Sequence, residues 1–578
     1  MRFRSRLRWS VAAAVPVAGL LAVGLSVAPG QASVAHSAAG AAHTITLKSG
    51  AGKAAFKGTI KLSQLPKATP KTARQAAVPL PGVDRPLKSK AQLAAYRHFV
   101  LTNPGKLPKG TAQPAPSKIA PSFLSSNEQI PALLRSGVGI DYTQSGCGCT
   151  PPDQALATNG GQVAEGVNNL LEVYNSTLGT VYGPYTAQAF FAPVYHSGDF
   201  FSDPQITYDA ARQRWLVAWL EIQPAGASAP DYIDLAVSGS ANVNGTWYEY
   251  QIPSSASGAT DFCDYPTMGY NVSAEWIACT SFDTSGGAFT GNRVFGFPLS
   301  KMDTGAPMPY VYFYNIPTPA SSTGAYRLSP AIEDGTPQGE FITASDAGFG
   351  VTSSSLTLCA ITKTGVIASG GIPDATCDYN TMPLAYDDPI SADQPGNPGT
   401  VYPGIGTKQI AYRDGRLWVA MPVTLSCSGN TEDGIWWADF VPQLTPLSSG
   451  FPQSVNGIAY PENAYWCFSG DTDSYMPTIE PDSEGSAVLT MNLSNDTSIY
   501  PSLAYTGRSA TDPVNTMGGV GASAYYAVGS SVNLTGRYGD YSACALAPGG
   551  ATRGFEWCAG EFGGSDVWNT QIAHLETQ

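Results

Sequence analysis

The chain has 578 residues, 43% of them aliphatic or aromatic and only 13% charged, a balance that excludes wholesale disorder, which needs low hydrophobicity and high charge. With 62 Gly, 45 Pro, 29 Tyr and 11 Trp, the composition points to many short strands joined by turns rather than to long helices. The formal charge of −13 is unevenly spread: residues 36–120 hold eleven Lys and three Arg against Asp84 alone, and residues 121–578 hold 13 basic and 43 acidic residues, a net −30. A body so acidic repels nucleic acid and anionic lipid and attracts cations, so no nucleic-acid partner is expected.

Residues 1–35 have the layout of a secretory signal peptide. Arg2, Arg4, Arg6 and Arg8 precede an apolar run from Val11 to Val27, and small residues near Ala32 and Ala35 offer cleavage sites. No later apolar stretch is long enough to span a bilayer, so the mature chain is expected to be secreted, extracellular and monomeric. Residues 36–120 read as a basic Ala/Lys/Pro-rich linker or pro-segment, with one helix-like piece at 92–100 and prolines such as Pro66, Pro70, Pro79 and Pro104 breaking regular structure. Three roles suit it: a solvated spacer, a cationic propeptide that docks on the acidic body during secretion, or a tether to an anionic cell wall.

All ten cysteines lie beyond residue 146, and an even count in an exported chain points to disulfides. Spacing pairs Cys263 with Cys279, Cys359 with Cys377, Cys427 with Cys467, and Cys544 with Cys558. Cys147 and Cys149 either bridge locally or pair elsewhere. Zinc is not expected, because no paired CxxC occurs and the body has two histidines, His196 and His574.

From about residue 150 a strand opening recurs every 40 to 65 residues. The seven openings are Pro151-Pro152-Asp153, Asp203-Pro204-Gln205-Ile206, Asp264-Tyr265-Pro266-Thr267, Ser329-Pro330-Ala331-Ile332, Tyr402-Pro403-Gly404-Ile405, Tyr475-Met476-Pro477-Thr478 and Gly539-Asp540-Tyr541-Ser542. Aromatic-rich strands follow, such as Arg214-Trp215-Leu216-Val217-Ala218-Trp219 and Arg416-Leu417-Trp418-Val419-Ala420. Three to four short antiparallel strands per repeat predict an all-β β-propeller of seven blades over residues 121–578. Two stacked sandwiches are the alternative.

These motifs carry a resemblance. Pro151-Pro152-Asp153 with Val163-Ala164-Glu165-Gly166-Val167-Asn168, Asp203-Pro204 with Arg214-Trp215, Asp264-Tyr265-Pro266, Tyr500-Pro501-Ser502 through Arg508, and Arg537-Tyr538-Gly539-Asp540-Tyr541-Ser542 resemble secreted bacterial β-propeller proteins distantly similar to the sialidase and BNR-repeat superfamily. The resemblance implies a propeller and export, and names no substrate. A sialidase would need three converging Arg, an Asp acid/base and a Tyr nucleophile assisted by a Glu. Here the Asp-box survives only as Asn244-Gly245-Thr246-Trp247, and the nearest Phe-Arg-Ile-Pro signature is Tyr326-Arg327-Leu328-Ser329-Pro330, one residue too long. Sialidase activity is therefore not expected.

Two candidate surfaces remain. Asp153, Asp203, Asp264, Asp473 and Asp540 stand at or beside strand openings; on innermost strands they would ring one mouth of the central channel, where Ca²⁺ is the fitting cofactor for several carboxylates. The bland reading is that each Asp caps its own turn through nearby backbone N–H groups. Trp436, Trp437, Tyr541 and Trp568, with Tyr465-Trp466 and Tyr525-Tyr526, are candidate stacking platforms for sugar rings unless they pack between blades. Serine chemistry lacks a suitable His and a G-x-S-x-G elbow. The leading expectation is a non-catalytic extracellular binding module for a polysaccharide or protein partner; a glycoside hydrolase or lyase using paired carboxylates, and a structural cell-surface protein, are the alternatives. The acidity also suits an acid medium, where many of the 43 carboxyls would be neutral.

Overall fold

The computed structural model describes residues 45–69, 78–79, 108–113 and 130–577, apart from short loops at 224–229, 256–260, 284–287, 335–338, 349–351, 447–452, 519–522, 534–537, 550–553 and 565–566. The signal-peptide segment 1–35, the helix-like piece at 92–100 and Arg537 lie outside the described residues. Strands dominate, as the Gly-, Pro- and aromatic-rich composition requires, and the helices described are one to two turns long.

Apart from the hairpin of Ala392–Gln394 with Asn397–Val401 and the short strand Cys149–Thr150, strand pairing divides residues 132–576 into consecutive antiparallel units of four strands each. The first comprises Ala155–Thr158, Gln162–Val167, Leu170–Asn175 and Thr180–Thr186, and the second Phe200–Asp209, Arg214–Ile222, Tyr232–Ser238 and Thr246–Pro253. Five further units begin at Asp261–Tyr270, Arg327–Glu333, Ile410–Arg413, Asp473–Pro481 and Ala543–Leu546. These first strands follow the openings read from the sequence. They neighbour one another in order, and that of the last unit lies against that of the first. The last unit is completed from the other end of the chain, with Ala132–Asp141 pairing antiparallel to Asn569–Glu576. The architecture is an all-β propeller.

Apolar clusters sit between neighbouring units. Leu156, Val163 and Tyr174 of the first unit pack with Ala543, Trp557 and Ile572 of the last. Trp436 and Trp437, adjacent on Asn430–Pro446, point to opposite faces of their strand, and each enters a different inter-unit core. That is what a sheet covered on both faces demands. Burying each such side chain contributes roughly 2–3 kcal/mol. Tight hairpins follow local chemistry: Asp414-Gly415 joins Arg413 to Arg416 with φ of 48° and 82°, the left-handed pair that a two-residue turn requires.

All five bridges form: Cys263–Cys279, Cys359–Cys377, Cys427–Cys467 and Cys544–Cys558 each join strands of one unit, and Cys147 bridges Cys149 locally. The basic segment holds more structure than a spacer would. Phe56–Lys61 adds a fifth strand outside the second unit, Lys48–Ala54 outside the third and Ile45–Thr46 outside the fourth, while Thr111–Gln113 runs parallel to the last strand of the fifth. Alternation explains why a Lys-rich stretch can do this. In Phe56–Lys61, Lys57, Thr59 and Lys61 face solvent while Ile60 is buried.

Candidate functional site

At three openings the first strand carries a bulge in which a left-handed residue precedes proline: Asp203-Pro204, Tyr265-Pro266 and Met476-Pro477, with φ of 57°, 52° and 50°. Asp153 is left-handed as well, at 51°. Tyr and Met rarely adopt this conformation, which costs energy in any residue with a Cβ. A bulge re-aims side chains, and here the openings deliver theirs to the axis.

Four of the five aspartates singled out in the sequence converge there. Asp153 Oδ1 accepts the backbone N–H of Asp540 at 2.8 Å, and its Oδ2 accepts Asn168 Nδ2 at 2.7 Å. Asn168 Oδ1 in turn accepts the N–H of Asp203 at 2.7 Å. Tyr541 OH donates to Asp203 Oδ2 at 2.8 Å, and Asp264 Oδ1 accepts the N–H of Tyr265 at 3.0 Å. Two cations reach the group. Arg327 Nη2 lies 3.7 Å from Asp540 Oδ1, with its guanidinium 3.5 Å above the Tyr265 ring; Lys408 Nζ donates to the Asp540 carbonyl and lies 5.6 Å from the centre of the Tyr541 ring. All of these residues are buried.

Burial sets the proton affinities. It drives the Asp153 and Asp264 carboxyls well above the usual range, with the charges of Asp203 and Asp540 adding to the effect. Asp203 is pushed up by burial and by Asp540, but only to about 6, because Ser202, Tyr541 and Arg327 favour its ionised form. Burial and the nearby Arg327 pull Lys408 down to about 7 against the attraction of Asp540, Asp153 and Asp203. Carboxylates brought together need a proton or a cation between them, and the chain supplies both. Arg327 and Lys408 lie among the acids expected from the sequence to be candidate Ca²⁺ ligands.

The fifth aspartate goes elsewhere. Asp473 accepts the backbone N–H of Asp433 at 2.9 Å and that of Asp393 at 2.7 Å, tying together distant strands rather than capping its own turn. Of the aromatic candidates, Tyr541 alone reaches the axis. Trp436, Trp437 and Trp568 have no exposed surface, so they serve the cores and not as sugar platforms; Trp568 Nε1 donates to the Cys149 carbonyl at 3.0 Å. Sequence reasoning missed Lys408, Arg327, Asn168 and Gln154. The signal for Arg327 was its place in the near-match to the sialidase signature, whereas Lys408 had only its place after an opening.

Along the axis runs a cavity of about 60 Å³ that opens to solvent. Its walls come from the first strands of every unit: Gln154 and Thr158, Gln205 and Tyr208, Met268 and Tyr270, Asp334 beside the fourth, Lys408, Gln409 and Arg413, Glu480, and Tyr541 and Ser542. At the end where the strands finish, Arg413 forms ion pairs with Asp334 and Glu480, and Tyr270 OH donates to Asp334 at 2.7 Å. His574, the only body histidine besides His196, stacks on Trp557 at 4.1 Å and takes no part.

No family model matches the chain, and no curated protein matches it in sequence. It is distantly similar to solved structures. A Trypanosoma rangeli sialidase in complex with sialic acid is 10% identical, with a TM-score of 0.34, across 69% of this chain and 56% of its own. The chain thus spans little more than half of that sialidase. A protein of unknown function from Dyadobacter fermentans is 11% identical over 66% of this chain and 96% of its own, with a TM-score of 0.33. A Bacillus subtilis arabinanase is 13% identical over 61% and 93%, with a TM-score of 0.25.

Proposed function

We propose that the protein is an extracellular carbohydrate-binding propeller whose ligand enters the axial cavity. The observation that carries this reading is the cavity wall itself, where all seven units contribute and amide, hydroxyl and charged side chains alternate with small apolar ones. Such a lining offers a polyhydroxyl ligand several donors and acceptors at once, with Gln154, Gln205, Lys408 and Tyr541 near the acidic end. Five disulfides accord with an extracellular setting, and no helix among the described residues is long and apolar enough to cross a membrane.

A second reading is glycoside hydrolysis, resting on two aspartates linked through Asn168. Asp153 and Asp203 belong to one hydrogen-bonded group yet hold their protons differently, one well above the carboxylate range and one near 6. A neutral acid beside an ionisable one is what bond cleavage between sugars requires. One experiment separates the readings: retention of the purified protein on a panel of polysaccharides at pH 5 and pH 7, with released reducing ends assayed in the same tubes. Retention that falls at least tenfold in Gln205→Ala, without release, supports the binding module. Release that vanishes in Asp203→Asn makes the protein a hydrolase, and retention unaffected by both variants removes the axial cavity from the function.

A further inference from the structure

A second cluster of chemically active side chains lies away from the axis, where the chain enters the second unit. His196 and Asp199 flank a tight loop in which Asp199 N–H donates to the His196 carbonyl at 3.1 Å and Gly198 is left-handed with φ of 104°. Glu221 stands near the end of Arg214–Ile222, paired with Phe201 on one side and Tyr232 on the other. The fold therefore brings Glu221 to the loop from 22 residues further along the chain. His196 N–H donates to Glu221 Oε1 at 2.6 Å; the ring Nδ1 is 3.3 Å from Glu221 Oε2 and 4.0 Å from Asp199 Oδ2. Each of the three residues offers a ligand atom within 4.8 Å of the other two, and this is the group of His, Cys, Asp and Glu that does so among the described residues.

We propose that His196, Asp199 and Glu221 bind a divalent transition-metal ion, Zn²⁺ in the first place. Donors on one tetrahedral zinc ion stand about 3.4 Å apart, given bonds of about 2.1 Å, so the His196 separations of 3.3 and 4.0 Å, with all three donors within 4.8 Å of one another, call for a local closure on the ion. Asp199 Oδ2 is a buried carboxylate oxygen with no hydrogen-bond partner among the described residues, and it faces the imidazole. The surroundings orient the other donors. Gln251 Nε2 holds Glu221 Oε2 at 2.7 Å and Asp234 Oδ1 at 3.0 Å, and the His196 ring stacks on Tyr232 at 4.9 Å. Second-layer contacts of this kind fix ligand geometry. Asp234 Oδ2 is likewise buried without a hydrogen-bond partner among the described residues. The donor set of one imidazole nitrogen and two carboxylates suits Zn²⁺ or Mn²⁺ rather than Ca²⁺, which takes six to eight oxygens. With the His196 side chain 46% exposed, the ion would keep an open side toward solvent.

The test uses the full chain, stripped with chelator and titrated with Zn²⁺ by calorimetry and with Co²⁺ by visible absorption. One equivalent per chain is expected, with micromolar or tighter affinity and the absorption of a tetrahedral N/O site. His196→Ala, a change at a half-exposed side chain that the fold tolerates, should weaken that site at least tenfold, and Asp199→Asn should do the same. His574→Gln should leave it unchanged. Binding that survives His196→Ala, a response to Ca²⁺ alone, or no binding at millimolar Zn²⁺ each overturns the proposal.

Discussion

At the end of the axial channel where the inner strands finish, one arginine meets two acids directly; at the end where they begin, four carboxylates share a guanidinium and an amine. Burial raises the proton affinity of Asp334, but Arg413 more than offsets this and holds its carboxyl below the usual range. Glu480 is pushed up by burial and restrained by the same arginine, to about 6. At the opening end no such direct pairing rescues Asp153 and Asp264, which stay well above the range. The difference teaches that burial alone does not decide charge in this channel. A cation in direct contact keeps an acid ionised, and one shared among several leaves Asp153 and Asp264 holding their protons.

The largest effect that would test this contrast is Arg413→Met. Removing the cation from two acids, one of them wholly buried, is expected to cost about 3–5 kcal/mol, read from urea unfolding at pH 7. Lys408→Met at the other end should cost clearly less, since burial already draws that amine toward neutrality at about 7; an equal or greater loss would break the comparison.

Next comes the pH dependence. Burial raises Glu249 to about 9, Glu275 and Glu432 to about 8, and Glu165 to about 7. A carboxyl whose folded-state value is raised is neutral in both states below about pH 4, and the stability it permits is lost as pH rises from there through its folded value. His574, drawn down to about 4 by burial and Arg135, works the other way between about pH 6.5 and 4. The four acids outweigh it, so thermal melting should be several degrees higher at pH 5 than at pH 8. Glu249→Gln, at a side chain whose two oxygens have no hydrogen-bond partner among the described residues, should flatten that slope.

Smaller effects belong to the hydrogen bonds around Asp203. Asp203→Asn keeps an acceptor for Tyr541 and should cost about 1–2 kcal/mol of stability while abolishing any hydrolysis. Tyr541→Phe removes one donor at a cost of about 1 kcal/mol, and should move Asp203 further above 6, measured by NMR titration of its carboxyl carbon.

Much of this was legible in the sequence because it is local. Cys263 and Cys279 lie on neighbouring strands of one hairpin, so spacing alone pairs them, and the same holds for Cys544 and Cys558. The Asp-bearing openings announced that acids would gather at one end. Asp473 departs from its four counterparts because the backbone N–H groups of Asp393 and Asp433 reach it from residues 80 and 40 positions away. Trp436 and Trp437 looked like platforms because strand alternation does not reveal that both faces are covered.

The sequence by itself determined the repeated unit, the bridges within it and the placement of one carboxylate at each of several openings, because period-two strands, tight turns and short disulfide loops depend on neighbours in the chain. Only the tertiary structure decided the rest. Lys408 meets Asp540 across 132 residues, Tyr541 meets Asp203 across 338, and Phe56–Lys61 finds the edge of Thr246–Pro253. The packing of neighbouring units sets these partners and the burial that goes with them, and burial in turn fixes which acids keep their protons.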